Sequence, residues 1–355
     1  MTIAPADRDA TPDEAGRAAT VSAGAVGPPP PFDVELAAGL EAFGFSVDAP
    51  FSAEDLLTQT RSGAALFTVP DEVLTGNGAF AVEDRLVPGP PGAPEVSLLI
   101  SRPAKDAAAP AAADRLLPAV YFMHGGGMII GNNRLGISEI QEWSRELGGL
   151  VGISVEYRLA PENPHPAPVE DCYAGLLWTV EHADELGIDP NRIVIAGTSA
   201  GGGLCAAVAL LARDRGGPTV AGQLLMCPML DDRNDTVSAV QMAGRGVWDR
   251  AANEVGWRSL LGDLRGGPDV SPYAAPARAE DLSNLPPAFV DVGSAETFRD
   301  EDVAYASRIW RAGGQAELHV WPGGFHGFDG LAPHATLSRQ ARAARLAWLR
   351  RIIAD

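Results

Sequence analysis

The sequence has almost no lysine: Lys105 stands alone among 27 Lys and Arg residues. It is also poor in cysteine, with three, and in aromatic residues, at 6%. Cys172, Cys205 and Cys227 are odd in number and form no C-x-x-C pair. Neither a disulfide framework nor a zinc knuckle is therefore expected, and a reducing compartment, the cytoplasm, fits. No uninterrupted apolar run approaches the ~20 residues that span a bilayer, so a membrane-spanning helix is not expected. A basic patch is missing as well. With 46 acidic residues and a formal charge of −19, the surface would repel a phosphate backbone, so nucleic acid is not an expected partner. Scarce lysine beside abundant Ala, Gly, Pro and Arg reads as genomic base composition, with a salt-adapted acidic surface as the rival explanation.

What remains suits a globular α/β protein. A chain of 355 residues, 46% of them hydrophobic, is long enough for one large domain with an appendage. Residues 1–31 carry acids and no apolar core of a secretory signal, and end in the run Pro28 to Pro31, so a disordered tail is expected there. Residues 32–90 read as short helices outside the main sheet and a lead-in: Phe32, Leu36, Leu40 and Phe43 fall on one helical stripe, and Leu56 and Leu57 on a second. In the remainder, 91–355, seven short apolar runs alternate with amphipathic segments: "VSLLIS", "PAVYFM", "VGISVEY", "RIVIAG", "AGQLLMC", "AFVDVG" and "AELHVW". Several are continuously apolar, as expected of strands covered on both faces in an α/β layered fold. The stretch 231–272 breaks the alternation with "DDRNDT", two tryptophans and "LRGGPD", and an insertion is expected there.

Two glycine-rich turns carry the chemistry. In "RIVIAGTSAGGGLCAAVALL" a strand runs into Gly197-Thr198-Ser199-Ala200-Gly201 and a small-residue helix follows, which is G-x-S-x-G in its strand-turn-helix context. Glycines flank the serine because so sharp a turn crowds its neighbours. Ser199 is the candidate nucleophile. In "YFMHGGGMIIG" a strand ends in His124 and Gly125, Gly126 and Gly127. Backbone N–H groups there, with that of Ala200, can form an oxyanion hole, each donor lowering the barrier by ~3 kcal/mol. Nucleotide binding is excluded on the residues: Ile130 and Ala206 stand where G-x-G-x-x-G needs its third glycine, and Lys105 follows no phosphate loop. No H-E-x-x-H occurs, so neither a metal nor another cofactor is expected.

From about residue 95 onward the chain resembles the hormone-sensitive-lipase-like branch of the α/β hydrolases, which includes bacterial carboxylesterases. The resemblance rests on "HGGGM", "YRLAPENPHPAPVEDC", "GTSAGG", "LPPAFVDVG" and "FHGF" in that order, with "GTSAG" marking one subgroup. It implies an eight-stranded, mostly parallel sheet with helices on both faces, a helical cap built largely from N-terminal helices, and ester hydrolysis. In the order Ser, acid, His, the histidine is His319, His326 or His334. His319 lies inside a strand run and His334 near the last helix, whereas His326 sits on a glycine-flanked loop just past a strand end. His326 is the expected base. For the acid, the family pattern D-P-L-R-D-E laid on residues 296–301 puts Glu296 at the usual aspartate position, with Asp300 the alternative. Asp300, Glu301 and Asp302 otherwise read as helix-start acids that suit the positive end of the dipole. Tyr157, Arg158, Glu162 and Asp171 look like scaffolding, His124 like a brace for the glycine loop, and Cys205 like core. Met128, Trp248 and Trp257 are candidates for the substrate pocket.

The expected protein is thus a serine hydrolase acting on short- to medium-chain carboxylic esters through an acyl-enzyme. Amide, formamide or lactone hydrolysis is the alternative on the same fold, and a non-catalytic receptor a more distant one. The expected partner is a small-molecule ester, with no membrane; a homodimer is admitted and the oligomeric state left open.

Overall fold

The computed structural model describes residues 26–62, 69–104 and 116–354. Lys105 and residues 1–25 of the expected tail lie outside these. Residues 26–31 carry no regular secondary structure, and Gln241 Nε2 donates to the carbonyls of Gly27 and Pro28 at 3.3 and 3.0 Å.

Among the described residues the strands are β1 (Phe80–Val87), β2 (Val96–Pro103), β3 (Leu117–Met123), β4 (Val151–Glu156), β5 (Ile188–Thr198), β6 (Gly222–Met226), β7 (Ala288–Gly293) and β8 (Ala316–Trp321). They form one sheet in the order β1-β2-β4-β3-β5-β6-β7-β8. The pairings of β2 with β1 and with β4 are antiparallel and the others are parallel. Seven of these strands coincide with the seven apolar runs. β1 does not, because "FAVEDRLV" is an edge strand that buries only Phe80 and Val87 at its ends, with Glu83 and Asp84 exposed between them, so no continuous apolar run forms.

Helices cover both faces. The first three, α1 (Val34–Ala42), α2 (Ala53–Arg61) and α3 (Asp71–Leu74), precede the sheet. Within it come α4 (Ile137–Glu146), α5 (Ala167–Glu181), α6 (Ala183–Leu186) and α7 (Ala200–Asp214); α8 (Val237–Gln241) and α9 (Arg250–Leu261) lie between β6 and β7. The chain continues through α10 (Arg299–Arg311) and α11 (Phe328–Leu331) to α12 (Thr336–Ile352). Side-chain alternation along β3 divides the core: Tyr121 joins the cluster with Leu176 of α5, Leu204 of α7 and Tyr305 of α10. Val120 and Phe122 join Trp143 of α4 and Trp348 of α12 on the other face.

A third, smaller cluster matters most for the site. Leu36 and Leu40 of α1 pack with Val247, Phe325 and Phe328, so the N-terminal helix and the β6–β7 segment rest on the chain flanking His326. Backbone bonds reinforce the contact: Asp33 N donates to Gly323 O at 3.0 Å, and Phe51 N to Val247 O at 3.1 Å. Phe43 departs from the expected stripe. It is the C-cap residue of α1, past the last buried turn, and is 58% exposed.

Arg345 of α12 is buried against three acids. Its guanidinium meets Asp291 of β7 at 2.9 Å and Glu139 of α4 at 3.2 Å, and also pairs with Asp329 of α11. Asp291 also accepts from Trp321 Nε1 at 3.0 Å, so the network ties α12 to the ends of β7 and β8. Breaking a buried pair by deleting one partner leaves a charge without compensation. Arg345→Met is therefore expected to lower the unfolding free energy by about 3–5 kcal/mol in urea denaturation. A loss below about 1 kcal/mol would place this network among dispensable ion pairs.

Candidate active site

Parallel register is what gathers the site. Met123 at the end of β3 lies opposite Gly197 of β5, and Thr198 opposite Met226 of β6. The loops leaving β3, β5, β7 and β8 consequently emerge at one edge of the sheet. The loop after β5 is the tightest. Ser199 has φ 58° and ψ −121°, a left-handed backbone that costs a non-glycine residue ~1–3 kcal/mol. The glycines around it are demanded by contact: a Cβ at Gly197 would lie 2.1 Å from Gly201 O, and one at Gly201 would lie 2.0 Å from Met123 O.

This backbone turns the Ser199 hydroxyl away from its helix. Ser199 is the N-cap of α7 but makes no side-chain cap bond; its Oγ lies 2.9 Å from His326 Nε2 instead. His326 Nδ1 lies 2.9 Å from Glu296 Oε1, and Glu296 Oε2 accepts from Gly293 N at 3.2 Å. With the proton on Nδ1, the ring donates to Glu296 and accepts from Ser199. All three side chains are buried, and the ring of Phe298 stands edge-on to His326 at 5.1 Å. The acid and histidine loops are stitched together by Ser294 N to Trp321 O at 2.8 Å and Ala295 N to Gly324 O at 3.0 Å.

Asp300 lies elsewhere. Its carboxylate accepts from Ser238 N at 2.7 Å, at the start of α8, and from Arg299 Nε at 2.8 Å. Glu301 and Asp302 are not surface dipole partners either. Glu301 Oε1 accepts from Leu230 N at 2.8 Å and Asp231 N at 3.1 Å, and burial pushes the pKa of both acids well up.

Gly125 is pressed against the serine turn, where a Cβ would lie 3.1 Å from Thr198 O. Gly126 and Gly127 have φ of 122° and 59°. Among the described residues the N–H groups of Gly125, Gly126, Gly127 and Ala200 have no protein acceptor. Trp248 closes over this loop: a Cβ on Gly127 would lie 2.5 Å from the indole, and Thr297 Oγ1 donates to Trp248 O at 2.7 Å. Met128 and Trp257 are fully buried, Trp257 following Gly256, which abuts the Gly127 carbonyl.

The remaining residues are arranged as supports. Tyr157 stacks on His124 with ring centroids 4.2 Å apart and donates to His124 O at 2.8 Å, while His124 Nδ1 reaches Gly125 O at 2.8 Å. Arg158 forks onto Asp171 with both bonds at 2.7 Å, and Glu162 pairs with Arg61 of α2 at 2.6 Å. Cys205 is core. His319 is in β8, stacked between Phe289 and Trp321. Cys227 was not legible as a neighbour of the site, yet its sulfur lies within 4.8 Å of ligand atoms of Glu296 and His326. The only hint was its place at the end of the run "AGQLLMC", beside the strand that carries Ser199.

A family described as having the alpha/beta hydrolase fold matches residues 120–330. The chain belongs to the α/β hydrolases. Its branch is the hormone-sensitive-lipase-like one. Relatives include the esterase LipI of Mycobacterium tuberculosis, 34% identical over 76% of this chain and 88% of its own length. The carboxylesterase NlhH of the same species is 34% identical over 85% and 92%. A solved structure titled bacterial heroin esterase superposes with a TM-score of 0.80 at 38% identity, covering 91% of this chain and 98% of its own.

Burial depresses the pKa of His124 to about 4. The unfolded chain then binds a proton below its ordinary value near 6.5 that the folded hydrolase refuses, so stability is full above about pH 6.5 and falls as pH drops toward 4. Replacing His124 by Gln is expected to flatten this part of the curve of unfolding free energy against pH by roughly 3 kcal/mol. Parallel curves for the two proteins would show that His124 charges freely in the fold.

Proposed function

We propose that the protein is a serine carboxylesterase that hydrolyses short- to medium-chain carboxylic esters through an acyl-enzyme. The observation that carries this reading is the unbroken chain Ser199–His326–Glu296, with both contacts at 2.9 Å, beside backbone N–H groups that no protein acceptor engages. Relatives named esterase and carboxylesterase support it. Ser199 Oγ attacks the ester carbonyl as His326 Nε2 takes its proton, and Glu296 stabilises the imidazolium and holds its orientation. The N–H groups of Gly125, Gly126, Gly127 and Ala200 receive the oxyanion, assisted by the positive end of α7. His326 then protonates the departing alkoxide, and water attacks the acyl-enzyme by the same route in reverse. Trp248, Met128 and Trp257 are assigned to the pocket wall on the strength of their place around Gly127. The chemistry uses no cofactor. No helix among the described residues is long and apolar enough to cross a membrane, and three buried free cysteines favour the cytoplasm as its site of action.

Ser199→Ala is expected to cut the turnover of p-nitrophenyl acetate by about 10⁴-fold or more, with loss of fluorophosphonate labelling. Undiminished turnover would remove the serine from the mechanism. For the acid, Glu296→Gln should lower kcat by about 10³–10⁴-fold and Asp300→Asn by far less. The opposite ranking would transfer the role to Asp300.

A further inference from the structure

We propose that Cys227, Glu296 and His326 form a latent site for a thiophilic divalent cation, Zn²⁺ or Cd²⁺, which switches hydrolysis off by occupying the Nδ1 position of the general base. The donor atoms of the three residues all lie within 4.8 Å of one another, and all three residues are buried. Among the described residues no other set of three or more His, Cys, Asp or Glu side chains brings its ligand atoms so close. A sulfur, an imidazole nitrogen and a carboxylate oxygen are the donor set of zinc and cadmium; calcium and magnesium prefer oxygen alone.

The geometry needs little adjustment. Bonds of ~2.3 Å to sulfur and ~2.0 Å to nitrogen and oxygen set tetrahedral donors roughly 3.5 Å apart. His326 Nδ1 and Glu296 Oε1 are already 2.9 Å apart, and the Cys227 sulfur lies within 4.8 Å of the other donors, so the main movement is its approach to them. Cys227 is held for this approach. It has φ 38° at the end of β6, and its N–H donates to Asp291 O at 2.7 Å. Three protein ligands leave a fourth position for water.

The consequence follows from the proton count. On binding, the thiol gives its proton to solvent. The proton between His326 and Glu296 cannot share Nδ1 with a cation, so the neutral ring carries its proton on Nε2 instead. Nε2 then donates to Ser199 Oγ, and the serine has no base. The glycine loop and Trp248 are untouched, so substrate still binds. This inhibition rests on the reading of His326 as the general base, whereas cation binding does not.

The test uses the full chain, Cd²⁺ and p-nitrophenyl acetate. The expected result is a fall in kcat without a change in KM, reversed by EDTA, together with an ultraviolet thiolate-to-cadmium charge-transfer band. In Cys227→Ala and Cys227→Ser the band disappears, and half-inhibition, measured against each variant's own metal-free rate, requires about 100-fold more cation. Cys172→Ser keeps both signals. Absence of the band in the unmodified protein, or its survival in the Cys227 variants, overturns the site. Because the band is read without turnover, a protein that binds Cd²⁺ but hydrolyses no ester would refute the esterase reading and leave the cation site standing.

Discussion

A serine at a helix N-cap ordinarily turns its hydroxyl back to the first free N–H groups of that helix. Ser199 cannot, because its φ of 58° points the side chain off the helix axis and toward His326. Every other feature of the site depends on holding that backbone. β5 is fixed between β3 and β6, and α7 is driven so close to the sheet that Gly201 nearly touches Met123 O and Gly203 nearly touches Met229 O. Any side chain at these positions would force α7 outward and relax the turn. The small-residue start of α7 is thus a packing requirement that stores strain at one residue and offsets it over a buried helix.

The histidine and its acid are secured differently, by loops instead of a strained turn. Their backbones bond to each other, and the histidine loop is clamped from outside by the Leu36, Leu40, Phe325 and Phe328 cluster. The β6–β7 segment joins in through Val247 and Trp248, and Thr297 bonds the Trp248 carbonyl beside the acid. α1 and the β6–β7 segment therefore share packing with the loops that carry His326 and Glu296. Loosening of α1 would therefore disturb the seat of Val247 and the position of His326 together, because both rest on one small core.

Much of this was legible in the residues because it is local or periodic. Strands buried on both faces announce themselves as continuous apolar runs, and G-x-S-x-G between a strand and a helix specifies its own turn. The loop of His326 and the pattern around Glu296 singled out two residues that the structure brings into contact with each other, the first of them also with Ser199. What escaped depends on which strands lie side by side. β1 escaped because an exposed antiparallel edge buries only its ends and carries charge between them. The partners of Arg345 come from α4, β7 and α11, and nothing in the run "RQARAARLAW" names them. Nearness to a helix start accounts for the position of the α10 acids but not for their burial: Glu301 serves backbone N–H groups of the chain after β6.

The same reasoning explains why a cysteine came to sit beside the triad unremarked. β6 is the neighbour of β5, and its last residues pass directly behind the turn that lifts Ser199; Ser199 N donates to Met226 O at 2.8 Å, and Met229 N to Ser199 O at 2.9 Å. Of the two residues between these anchors, Cys227 has φ 38° and is buried, with its sulfur within 4.8 Å of ligand atoms of Glu296 and His326. The end of β6 thus sets a thiol beside the imidazole, a ligand that the hydrolysis proposed above does not use.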